Sequence, residues 1–88
     1  MDLSLWERLM KAVANKRRLA ILLLLKRERM LPVTDIARAI HMSVPATSKH
    51  LQILRNAGIL IDRKRGLSVL YRISLEQEEV IRALLKSI

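Results

Sequence analysis

The sequence predicts a mainly α-helical domain with one small β-hairpin: a winged helix-turn-helix built as four helices, a hairpin and a fifth helix. Three observations carry that expectation. Two helical stretches, "VTDIARAI" and "VPATSKHLQILRNA", are separated only by "HMS", the short spacing of a helix-turn-helix. Directly afterwards the pattern switches to period two in "ILIDRKRG" and "LSVLYRIS", which meet at Arg65-Gly66-Leu67 as a hairpin would. The tip and flank of that hairpin carry Arg63, Lys64 and Arg65, which makes the wing basic.

Each element has its own signals. In "LSLWERLMKAVA", Leu5, Leu9, Met10 and Val13 recur at helical spacing, with Ser4 as the expected N-cap. Asn15 interrupts, and its side chain suits the start of a second helix, "KRRLAILLLLKRER". That helix is apolar on nearly every side, so it is expected to be the buried central one. Its basic last turn, with Lys26, Arg27 and Arg29, complements the helix dipole. "MLP" breaks the chain at Pro32. The third helix turns Ile36, Ala37 and Ile40 inward. Ser43 caps the fourth, Pro45 fits its first turn, and Gly58 supplies the left-handed residue that ends it near Ala57. After the hairpin, Ser74-Leu75-Glu76-Gln77 reads as a capping box opening the fifth helix. Val80, Ile81, Leu84, Leu85 and Ile88 line one side of it.

Eighty-eight residues suit one domain over residues 1–88, because domains typically run to about 100–150 residues. Yet 51% of them are hydrophobic. One small core does not hide that much easily, and a second copy of the chain is the expected cover. Cysteine is absent, which excludes disulfides, thiolate metal sites and a cysteine nucleophile. The longest apolar run, "LAILLLL", falls far short of the ~20 residues that span a bilayer. No signal-peptide pattern opens the chain. The expected location is the cytoplasm, on the nucleoid when DNA is bound.

The net charge is +9, and its distribution is uneven. Residues 11–72 hold 14 Lys and Arg against Glu28, Asp35 and Asp62, while the two ends hold three basic and five acidic residues. A basic middle between near-neutral ends fits a polyanion-binding face separate from a self-association face. A generally basic, solvated surface is the plainer alternative.

Residues 43–58 change character halfway. The front is small, polar and basic, and the back carries Leu51, Ile53 and Leu54. A helix entering a DNA groove needs such a front, because small residues let the backbone approach and the N-terminus favours phosphate. Thr47, Leu51 and Leu54 recur at i, i+4, i+7, a stripe for the core, although Thr47 also offers a hydroxyl beside Ser43 and Ser48. The expected DNA-facing set is Ser43, Val44, Pro45, Ala46, Thr47, Ser48, Lys49 and Gln52, with Arg63, Lys64 and Arg65 on the wing. An ordinary amphipathic helix with a polar outer face explains the helix alone equally well; the basic hairpin after it shifts the balance towards DNA.

Three blocks then carry a resemblance. "KAVANKRRLAIL" resembles the "KALANPTRLRIL" signature of arsenic-repressor-type (ArsR/SmtB) winged-helix regulators. "TDIARAIHMSVPATSKHLQILRNAGIL" is similar to that family's "ELAEALGLSQSTVSRHLKVLREAGLV", and "RKRGLSVLYRIS" to its wing. The resemblance implies a symmetric dimer through the first and last helices, with the two fourth helices in successive major grooves. The seam expected from it is Leu5, Trp6, Leu9, Val80, Ile81, Leu84, Leu85 and Ile88. Where metal-sensing members carry "CVC", this chain has Pro32-Val33-Thr34, and its last helix has no histidine. The family's arsenic, zinc or cadmium sensing therefore does not carry over. The family's "GL" before the fourth helix is His41-Met42 here, a histidine where glycine gives left-handed geometry.

Among the DNA-facing positions, Val44 and Pro45 replace residues that are usually polar in the family. Thymine-methyl contacts and shape readout are thus expected to contribute more than base hydrogen bonds, with Lys49 the candidate for guanine. The wing cations would hold phosphate or probe the minor groove. Lys16, Arg17 and Arg18 could touch flanking phosphate or simply be solvated, and Arg18 also resembles a family arginine with a structural look. His41 and His50 lack the three or four converging ligands of a metal site. Trp6 reads as an interface or core anchor rather than part of an effector pocket. The last helix, with Glu76, Glu78 and Glu79, is too acidic for a membrane surface.

The expectation is a homodimeric, sequence-specific regulator of transcription on double-stranded DNA, most simply a repressor, with no cofactor, no metal and no membrane association. The alternative is a winged helix that coats DNA architecturally or binds a protein. No nucleophile–base pair, catalytic carboxylate pair or Gly-rich phosphate loop suggests an enzyme. An effector ligand or protein partner of unidentified kind remains compatible with the sequence.

Overall fold

A computed structural model of the chain describes residues 2–88. Helix α1 spans Leu3–Val13, α2 Lys16–Glu28, α3 Val33–Ile40, α4 Val44–Asn56 and α5 Glu78–Leu85. Strands β1 (Leu31–Pro32), β2 (Leu60–Arg65) and β3 (Ser68–Ile73) form an antiparallel sheet in the order β1-β3-β2.

The boundaries follow local chemistry. Asn15 Oδ1 accepts from the amides of Arg17 and Arg18 at 3.0 and 3.1 Å, closing the start of α2. At α1 the cap is Asp2 rather than the expected Ser4: Asp2 Oδ1 accepts from Ser4 N and Leu5 N, and Ser4 sits inside the first turn. A carboxylate there also complements the helix dipole. α3 and α4 end alike. The amide of His41 donates to Arg38 O and that of Met42 to Ala37 O; the amide of Gly58 donates to Arg55 O and that of Ile59 to Leu54 O. Both are Schellman turns, which need a left-handed residue. Gly58 has φ +78, and His41 adopts the same region at φ 58, so the turn geometry survives the loss of glycine.

Two boundaries depart from the sequence reading. Leu31–Pro32 is a third strand, paired as Leu31↔Tyr71 and Pro32↔Leu70, where the sequence indicated only a break. Proline tolerates this edge position because it needs to donate no ladder bond. The capping contact from Gln77 N to Ser74 Oγ exists at 3.3 Å, but it closes a turn and α5 begins only at Glu78. Ser74 is instead a staple: its hydroxyl donates to Gly58 O at 2.9 Å and its amide to Ile59 O. It ties the end of β3 to the turn after α4.

The core gathers around α2. Ile21, Leu22 and Leu25 pack with Ile36, Leu51, Leu54, Ile59, Leu60 and Ile81, all buried. Each such side chain contributes about 1.5–3 kcal/mol of transfer free energy. α2 is not wholly enclosed, because Leu23 lies at the surface. Arg18 crosses from α2 to donate to Ala12 O and to His50 Nδ1 at 3.2 Å, which supports the structural reading of that arginine. Arg8 donates to Asn56 O at 2.6 Å, satisfying a carbonyl at the end of α4 from α1.

Candidate nucleic-acid interface

α4 divides into two faces. Thr47, Leu51 and Leu54 are buried, and Val44, Pro45, Lys49, Gln52, Ile53 and Asn56 are exposed on the other side. Ser43 is exposed at the cap, where its Oγ accepts from Ala46 N at 3.2 Å. Ala46 and Ser48 are half-buried flanks of the outer stripe. Among the expected DNA-facing residues, Thr47 is the correction: it is 0% exposed, because the i, i+4, i+7 stripe turns it into the core. Its Oγ1 has no hydrogen-bond partner among the described residues. Ile53, counted with the apolar back of the helix, is an exposed side chain instead, and Asn56 extends the outer stripe beyond the expected set.

The wing stands beside this stripe. β2 and β3 pair from Leu60↔Ile73 to Arg65↔Ser68 and turn through Gly66 at φ +61, the left-handed first position of a two-residue primed turn. Arg63, Lys64 and Arg65 are all exposed, and Leu67 at the tip is 106% exposed. Arg55 on α4 bonds Asp62 on β2 at 3.2 Å, an ion pair across the junction of helix and wing. Among the described residues, Lys49, Arg63, Lys64 and Arg65 pair with no carboxylate. These four charges are therefore free to meet an external anion.

His50 lies behind the stripe. Its pKa is held below the ordinary histidine value, first by burial and then by the charges of Arg18 and Arg17. The Arg18 guanidinium can only donate, so Nδ1 accepts and the ring is neutral with its proton on Nε2. Among the described residues, no three His, Cys, Asp or Glu side chains gather to hold a metal. Among the described residues, no helix is long and apolar enough to cross a membrane.

The expected seam residues also separate. Leu9, Ile81 and Leu85 are buried within the protomer, a correction that follows from helical geometry: they lie on the inner faces of α1 and α5. Leu5, Trp6 and Ile88 are exposed, and Val80 and Leu84 are half-buried. Leu3 and Met10, outside the expected set, add further exposed apolar surface to α1. The signal that could have found Leu3 is its i, i+3, i+7 relation to Trp6 and Met10.

A short helix pair whose second helix shows an exposed outer stripe of mixed polar and apolar side chains, followed directly by a basic hairpin, defines a winged helix-turn-helix. Residues 15–62 match the family described as bacterial regulatory protein, arsR family. An arsenic resistance transcriptional regulator of Pseudomonas putida is 40% identical over 78 residues, covering 89% of this chain and 61% of that protein. The arsenical resistance operon repressor of Escherichia coli is 46% identical over 66 residues, covering 75% of this chain and 56% of the repressor. The chain thus spans less than two thirds of the length of either relative. The solution structure of a homodimeric winged helix-turn-helix DNA-binding domain from Mycobacterium bovis superposes with a TM-score of 0.86 at 36% identity, over 97% of this chain and 78% of that one. The chain belongs to the arsR family of bacterial regulatory proteins.

Proposed function

We propose that the chain is a homodimeric, sequence-specific DNA-binding regulator of transcription, and most simply a repressor that occludes a promoter. The observation that carries the reading is the pairing of the outer stripe of α4 with a wing of cations unpaired among the described residues, with Arg55 and Asp62 bonded at their junction. In this reading α4 enters the major groove with Val44, Pro45, Ser48, Lys49 and Gln52 towards the bases. Arg63, Lys64 and Arg65 take phosphate or minor groove alongside. Counterion release makes the affinity strongly salt-dependent. The domain acts in the cytoplasm and catalyses no reaction. Its two-fold axis lies at a seam of α1 and α5, formed by Leu5, Trp6, Val80, Leu84 and Ile88. The M. bovis neighbour, described as homodimeric, and the E. coli repressor support dimer and sign of control.

The exposed apolar side chains of Val44 and Ile53 on α4 favour a second reading, a module that coats DNA without sequence preference or binds a protein. Selection from a random-duplex library at physiological salt separates the two. An inverted repeat with half-site centres about 10 base pairs apart is expected. Binding without an enriched motif would support the architectural reading. No binding by folded protein would leave protein interaction.

A further inference from the structure

Along the outer side of α2 runs a groove of about 1030 Å3, walled by α3, α4 and α5. Its floor is apolar, with Leu23 and Leu24 from α2 and Ile40 from α3. Its two ends are cationic. Lys16 and Arg17 stand at one, and Lys26, Arg27 and Arg82 at the other. Among the described residues, no carboxylate lines it. Arg27 and Arg82 are already engaged with Glu28 and Glu78 at 3.1 Å each. Lys16, Arg17 and Lys26 pair with no carboxylate among the described residues. Lys26 is moreover half-buried.

We propose that this groove binds a small amphipathic anion, a carboxylate or phosphate head on a single apolar chain, and that its occupancy is transmitted to α4. Chemistry narrows the occupant. A nucleic-acid strand would meet the cations but has no apolar body for Leu23 and Ile40. A neutral apolar molecule would cover the floor and leave the cations unmet. The cationic ends are ten residues apart on one helix, about 15 Å, which suits an extended chain. The volume is at the upper end of small-molecule sites. The route to α4 is His50, which lines the groove while accepting from Arg18 at the middle of the helix. With its head at Lys26, the anion's chain would run along Leu23 and Ile40 towards His50 and tilt that ring away from Arg18. Binding stands on the groove alone; transmission rests on the DNA-binding reading.

The test is calorimetry on the whole chain with monomeric octanoate and octyl phosphate, against 1-octanol and phosphatidylglycerol vesicles. Saturable binding of one anion per protomer is expected, with 1-octanol at least about tenfold weaker, the weight of one charged hydrogen bond. Lys26→Glu should abolish anion binding in protein whose circular dichroism and thermal unfolding show it folded. Equal binding of 1-octanol, no saturable binding of either anion, binding unchanged in Lys26→Glu, or binding to vesicles alone would each overturn the site. The library-selected duplex then tests transmission. Octanoate should change DNA affinity at least about threefold in the native chain and not in Lys26→Glu. Unchanged affinity with octanoate bound would overturn transmission only. Absence of DNA binding with and without octanoate would overturn the DNA-binding reading and leave the groove standing.

Discussion

His41 and Gly58 occupy equivalent places in two Schellman turns, at φ 58 and +78. A side chain in that region costs about 1–2 kcal/mol against glycine, partly offset by the greater freedom of glycine in the unfolded chain. His41→Gly is therefore expected to raise unfolding free energy by about 0.5–1 kcal/mol in urea titration; a loss would mean that the His41 side chain makes a stabilising contact. Thr47 is the opposite kind of misfit, a hydroxyl fully buried without a partner. Thr47→Val keeps the shape and removes the orphan, so stability should rise by about 1 kcal/mol; no gain would place an ordered water at Oγ1. His50 gives a pH signature. Its folded pKa lies below the ordinary value, so at neutral pH and above the ring is neutral in both states and adds nothing to the pH dependence. As pH falls through about 6.5 the unfolded chain takes up the proton first, and stability drops until the folded ring also titrates. The difference in unfolding free energy between the native chain and His50→Gln should therefore shift against the native chain over that window and be flat above it. Burial of this kind was only half legible: the spacing of Thr47, Leu51 and Leu54 pointed inward, but a hydroxyl beside a predicted groove also suggested DNA.

At the scale of elements, what the sequence revealed was whatever short-range chemistry decides. Asn15, Ser43 and Gly58 mark helix ends because a cap is satisfied within a few residues. The hairpin is legible because Gly66 and the alternating pattern are local. The strand at Leu31–Pro32 was not, because it exists only through the register of β3, some forty residues away. Ser74 likewise misled on the start of α5, since its hydroxyl reaches across to Gly58 O. The candidate site was legible as elements and less so as side chains: α4 and the wing were found, and which α4 residues face outward needed the packing. Their roles should be separable. Lys49 lies on the outer stripe of α4, whereas Arg63, Lys64 and Arg65 lie on an exposed hairpin. Lys49→Ala should lower discrimination by about 1–3 kcal/mol at one base position. Triple Ala replacement on the wing should weaken all duplexes alike and flatten the salt dependence. Competition titrations against selected and scrambled duplexes check this; equal loss of specificity from both variants would refute the division of labour.

The whole molecule raises the question of where its surplus apolar surface goes. The core accounts for Leu9, Ile81 and Leu85, so these cannot also make a seam. Their burial leaves Leu3, at 74% exposure, with Trp6 and Met10 on another face of α1, Leu5 exposed in its first turn, and Ile88, 68% exposed, past the end of α5. Alternation of inner and outer apolar residues on one helix is why the sequence could not sort core from seam: in α1 and α5 both faces are apolar, and only packing against α2 decides which turns in. Trp6 tests the seam because it lies outside the buried cluster. Trp6→Glu should leave circular dichroism unchanged and convert a dimer to a monomer in sedimentation. It should also cut affinity for an inverted repeat by at least about a hundredfold, because two linked half-sites gain roughly that much from being held together. The loss should be far smaller on a single half-site, since α4 and the wing stay intact. A Trp6→Glu protein that still sediments as a dimer and binds the repeat would move the two-fold axis away from α1.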